Sequence, residues 1–225
     1  MKPLDSGTTN AMNRSIGELI QLFRSRSYII DGIEIDPEGS LVASVPYIQS
    51  CQIIPSLVAA GTKVVKAEQE IRTVKERARA TISRLPFHLP KGFYKHLITF
   101  VCKRINSFPS RQYPGDPSPL EQMIARKLNY ETDVKRAFGD YGQVPDDGDN
   151  TMKSRTSGCI ALYPTYNEQG SWAVYNLNSN KVRITDRFIP LPMPNEVIAP
   201  STISQRSKAE RIFANRNLFF LRTVL

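Results

Sequence analysis

Histidine is almost missing from this chain, with two residues in 225, His88 and His96. They stand eight apart with Cys102 six beyond, and no Cys-x-x-Cys accompanies them, so the spacing excludes an ordinary zinc site. Cysteine is scarce too: Cys51, Cys102 and Cys159 are odd in number and widely separated, which excludes a disulfide framework and points to a reducing compartment. No apolar run approaches the roughly 20 residues needed to cross a bilayer. The opening "MKPLDSGTTNAMNRS" lacks the hydrophobic segment of a signal peptide. The expected location is therefore inside the cell, in the nucleus or cytoplasm. Acid is short as well: 21 Asp and Glu face 30 Lys and Arg, giving a formal charge of +9 and a pI near 9.6. That balance favours a polyanionic partner, with nucleic acid first.

What is present supports a folded protein, since 40% of the residues are hydrophobic. "SIGELIQLFR" sets Ile16, Leu19, Ile20 and Phe23 at helical spacing and predicts an amphipathic helix from Ser15 to Arg24. "YIIDGIEID" alternates Ile33 and Ile35 with Glu34 and Asp36 and reads as a strand stopped by Pro37. Asp36, Pro37 and Glu38 together also make a good helix start, so Asp36 sits where a strand ends and a helix begins. In α/β sheets that edge is where ligands bind, although a purely capping aspartate has the same pattern. Pro46 is expected to break or kink the helix that follows. "CQIIPSLVAAGTK" reads as a second short strand and a loop around Gly61.

The longest predicted helix is "KAEQEIRTVKERARATISRL", Lys66 to Leu85, with Pro86 at its end. Its apolar stripe is Ile71, Val74, Ala78 and Ile82, while Arg72, Lys75 and Arg79 fall in line with Glu68. A third helix, "GFYKHLITFVCKRI", is expected to bury Phe93, Leu97, Phe100, Val101 and Ile105 on one side and precedes the proline-rich "NSFPSRQYPGDPSP". Beyond Tyr141 the period changes to short β-branched and aromatic runs, "IALYP", "SWAVYNL" and "KVRITDRF", with "NSN" at 178–180 as a hairpin turn. A small antiparallel barrel fits them.

Metal-dependent phosphoryl transfer on DNA needs carboxylates that hold two divalent ions about 3.5 to 4 Å apart and cations that hold the phosphate backbone. Asp36 and Glu68 are the candidate carboxylates, and Arg72, Lys75, Arg79 and Arg84 the candidate phosphate contacts. The plainer reading of Glu68 and Arg72 is an exposed i, i+4 pair worth a few tenths of a kcal/mol.

"KAEQEIRTVKERARATISRLPF", with "DPEG" upstream and "FVCKRINSFPS", "SPLEQMIARK" and "AFGDYGQV" downstream in that order, resembles the integrase segment of a copia-type retrotransposon Gag-Pol polyprotein. The resemblance spans roughly Ser15 to Pro194. It implies that Glu68 is the last acid of an Asp, Asp, Glu triad and Asp36 the middle one, with Mg2+ or Mn2+ as the metal. The triad's first aspartate has no counterpart ahead of Asp36. The expected fold is therefore α/β: residues 1–107 form the C-terminal part of an RNase H-like core whose first strands are missing. Residues 108–140 form a proline-rich connector, 141–195 a small DNA-binding β-barrel and 196–225 a basic tail or linker. A triad short of one carboxylate should bind metal weakly, so the integrase-type polynucleotidyl transfer that the resemblance implies is not expected of this chain alone. The expected partner is duplex DNA, with a homo-oligomer or the rest of the polyprotein as a complement. The alternative is a noncatalytic DNA-binding protein derived from the element.

Overall fold

The computed structural model describes residues 7–35, 39–58, 65–109, 115–146, 152 and 154–198. The protein is mixed α/β, with a two-stranded parallel sheet and a five-stranded antiparallel one. It divides into two compact units between Glu76 and Arg77.

In the first unit, Thr8 opens α1 (Thr9–Arg24) by accepting the Ala11 amide on its side-chain oxygen at 3.4 Å, which satisfies one of the donors a helix start leaves free. The helix begins six residues before the predicted Ser15, because Ala11 and Met12 continue the buried stripe of Ile16 and Ile20. β1 (Gly32–Ile35), α2 (Gly39–Val42), α3 (Val45–Ser50) and β2 (Ile54–Leu57) follow, and β1 and β2 pair in parallel, with Ile33 beside Pro55 and Ile35 beside Leu57. The helix after β1 is short and interrupted before Pro46, as expected: α2 stops at Val42 and the chain turns at residues 43–44. Pro46 occupies the first turn of α3, where a missing amide costs nothing, and so starts a second short helix. The core gathers Met12, Ile16, Ile20, Ile33, Ile35, Leu41, Ile48 and Ile53.

A single helix, α4 (Val65–Ser83), crosses the division. In the second unit a 3-10 turn at Lys91–Phe93 leads into α5 (Tyr94–Asn106), which buries Leu97, Phe100 and Val101 as the spacing predicts. α6 (Pro119–Ile124) has a capping box, in which the Ser118 hydroxyl takes the Glu121 amide and the Glu121 carboxylate takes the Ser118 amide. The sheet comprises β3 (Tyr141–Pro145), β4 (Thr156–Pro164), β5 (Trp172–Asn176), β6 (Lys181–Thr185) and β7 (Ile189–Pro190), in the order β6-β5-β4-β3-β7. The 178–180 turn joins β5 to β6 as expected, and the final short helix is α7 (Asn195–Ile198). The rest of the expected basic tail lies outside the described residues.

α5 covers one side of this sheet: the His96 ring stacks on Tyr163 at 5.8 Å, and Phe93 meets Tyr175 edge-on at 4.8 Å. Val182 stands opposite Tyr175 and shares its side, so the next residue, Arg183, points to the other. In a flat sheet β6 and β3 would lie about 14 Å apart, three strand spacings, beyond the reach of a side chain. Yet Arg183 donates from Nη1 to Asp146 Oδ1 at 2.9 Å and from Nη2 to the Pro145 carbonyl at 2.8 Å. The sheet is therefore strongly curled. It is not the closed barrel expected: among the described residues β6 and β7 remain edges, and the clasp between the sheet's two sides is made by one side chain.

Beside the sheet, the Arg126 guanidinium grips the fully buried Asp133 through two bonds of 2.8 and 3.1 Å, and the Asn129 amide adds a third at 3.0 Å. Trp172, also fully buried, donates its indole N–H to the Thr132 carbonyl at 2.8 Å. The turn before it needs a glycine, because Gly170 has φ +66 and a Cβ there would meet the Thr132 side chain at 2.6 Å.

Candidate nucleic-acid interface

α4 carries most of the residues singled out from the sequence. Its periodicity buries Val74 and Ala78, leaving Glu68, Arg72, Lys75 and Arg79 exposed. Glu68 lies in the first turn, where a carboxylate complements the positive end of the helix dipole. Arg72 does not pair with Glu68. It reaches forward to Glu76, with Nε 3.0 Å from Oε1, and both side chains are largely in solvent, so the pair contributes little. Lys75 and Arg79 make no ion pair among the described residues, nor does Arg84, which is exposed just past the helix end. Asp36 lies outside the described residues. Among those residues no three of His, Cys, Asp and Glu gather to hold a metal ion.

On α4 one exposed cation escapes the sequence reading. Arg77 stands in solvent on the same helix but off the Glu68 stripe, and a reading confined to one stripe passes over it. The only signal for it is the density of the "KERARA" run.

Charge is unevenly distributed along the chain. Residues 1–76 hold 8 Lys and Arg against 9 Asp and Glu, whereas residues 77–225 hold 22 against 12. The first stretch is thus slightly acidic, and all of the chain's excess positive charge belongs to the second.

Several cations of the second unit are committed to its interior. The Lys103 ammonium donates to the Pro164 carbonyl at 2.6 Å and stands 5.2 and 5.0 Å from the ring centres of Tyr163 and Tyr166. Burial pushes it down to about 8. Arg104 donates to the Arg136 carbonyl at 2.8 Å, and Arg136 lies between Trp172 and Phe188. Burial lowers both guanidinium groups from their ordinary value. Arg126 and Arg183 hold Asp133 and Asp146. The exposed remainder, including Arg77, Arg79, Arg84, Lys91, Lys95, Lys127, Arg155, Lys181 and Arg187, is what a polyanion would meet.

No protein-family model matches this chain, and neither does any curated protein.

Proposed function

We propose that this protein binds duplex DNA through the exposed cations of its second unit and that it is a remnant of a copia-type integrase without catalysis of its own. The observation that carries the reading is the surplus of positive charge from residue 77 onward, displayed by Arg77, Arg79 and Arg84 without an ion-pair partner among the described residues. The order of elements supports the descent. A parallel strand pair linked by helices, then a long basic helix, then a curled antiparallel sheet is the succession expected of the later part of an RNase H-like core and a C-terminal barrel. Glu68 serves its helix terminus in this reading.

Each phosphate neutralised by a lysine or arginine releases condensed counterions, so the logarithm of affinity falls with the logarithm of salt by about 0.9 per contact. Anisotropy of a labelled duplex, titrated at several salt concentrations, tests this. Replacing Arg77, Arg79 and Arg84 together with Gln is expected to flatten the slope by about 2.7, three contacts' worth. Glu68→Gln is expected to leave affinity unchanged or slightly higher. No binding at low salt, or binding indifferent to salt, refutes the proposal. Strand-transfer assays with Mg2+ or Mn2+ are expected to yield no product, and product that vanishes in Glu68→Gln would restore the enzymatic reading.

A further inference from the structure

The two edges of the parallel sheet are chemically different. Ile54 donates its amide to the Asp31 carbonyl and Val58 to the Ile35 carbonyl, both at 3.1 Å. In a parallel ladder, alternate residues of a strand bond to the same neighbour, so Asp31, Ile33 and Ile35 turn their backbone groups toward β2. Gly32 and Glu34 turn theirs outward, and both residues are exposed. On β2 the same alternation turns Pro55 and Leu57 outward, and of the two only Leu57 has an amide to offer. One edge is therefore partly blunted in the way proteins commonly protect sheets, and among the described residues the other keeps all its donors and acceptors unpaired. Two parallel strands are also fewer than such a sheet ordinarily needs.

We propose that the outer edge of β1 pairs with β1 of a second copy of this chain, antiparallel about a two-fold axis, giving a four-stranded sheet β2-β1-β1-β2. Because the outward groups are those of Gly32 and Glu34, the register that bonds them sets each Gly32 opposite the other copy's Glu34, with Ile33 facing Ile33 at the axis. No like charges oppose one another in that register. Gly32 stands beside Ile54, whose side chain is 73% exposed. With no side chain at Gly32 in the way, the aliphatic stem of the other copy's Glu34 covers that isoleucine while its carboxylate stays in water. Electrostatics permit the approach, because residues 1–76 carry 8 basic against 9 acidic groups. The inference does not depend on DNA binding.

Sedimentation equilibrium of the full chain over a wide concentration range tests it, together with amide exchange at Gly32 and Glu34. The expected result is a dimer in which these two amides exchange at least tenfold more slowly than in dilute, monomeric protein. Glu34→Pro, which repeats on β1 what Pro55 does on β2, is expected to be monomeric at concentrations where the parent is dimeric, with an unchanged circular dichroism spectrum. A chain that stays monomeric throughout overturns the proposal. So does a dimer in which both amides exchange as fast as in the monomer, or a Glu34 amide protected equally at all concentrations, which would mean that the edge is covered from within the chain. Should Glu34→Pro fail to fold, the exchange measurement on the parent protein decides alone.

Discussion

Three side chains of the second unit fix most of what a single substitution can reveal. Asp133 is fully buried and held by Arg126 and the Asn129 amide. Replacing it with Ala removes two bonds to the partly exposed Arg126 and leaves the Asn129 amide without its acceptor, so a loss of about 1–3 kcal/mol is expected from urea unfolding. His96 lies half-buried against Tyr163 with Lys95 beside it, and desolvation, then the neighbouring charge, push its pKa down to about 4 from 6.5. The unfolded chain therefore takes up the proton first. The stability that neutral His96 provides is complete above pH 6.5 and is lost as pH falls toward 4, on the order of 2 kcal/mol, and His96→Phe should flatten the curve over that interval. Lys103 acts in another window. Its folded value of about 8 lies below the ordinary 10.5, so stability should rise between pH 8 and 10.5 as the buried ammonium loses its charge, and Lys103→Met should abolish the rise.

At the level of elements, the sequence was legible where one pattern dominated. The stripe of α5, the strand at Ile33 and Ile35, the end of α4 before Pro86 and the β5–β6 turn could all be read from spacing alone. What escaped were features decided by a competing local rule or a distant partner. Pro46 marks the interruption of the helix but not that a second one starts there, and Thr8 caps a helix whose apolar stripe is sparse at its start. The Arg183 clasp spans 37 residues of sequence and leaves no local trace. Of the candidate site, the exposed cations of α4 could be read, but Arg72 turned to Glu76 rather than Glu68 because both acids lie one helical turn away and periodicity does not choose between them. Arg183→Leu is expected to cost about 1–3 kcal/mol, since Asp146 and the Pro145 carbonyl lose their partner in a half-buried setting, and to speed amide exchange along β6.

For the whole molecule, net charge proves a poorer guide than its distribution. A value of +9 describes neither stretch: residues 1–76 are close to neutral, and residues 77–225 hold the surplus, part of which is locked against carbonyls, rings and carboxylates. The steepness of salt dependence should accordingly follow the exposed cations of the second unit. Arg26→Gln in the first unit is expected to leave the slope for duplex binding unchanged in the same anisotropy titration that registers Arg79→Gln as a change of about 0.9.

The clasp between β6 and the end of β3 also bears on how the sheet would fail under mechanical load. A barrel closed by a backbone ladder resists shear through several hydrogen bonds broken at once. Here the two sides are joined by a single guanidinium, so a pulling force would break that contact first and then peel β6 from β5 one pair at a time. The first resistance to drawing β6 away from β3, among the described residues, thus rests on one arginine.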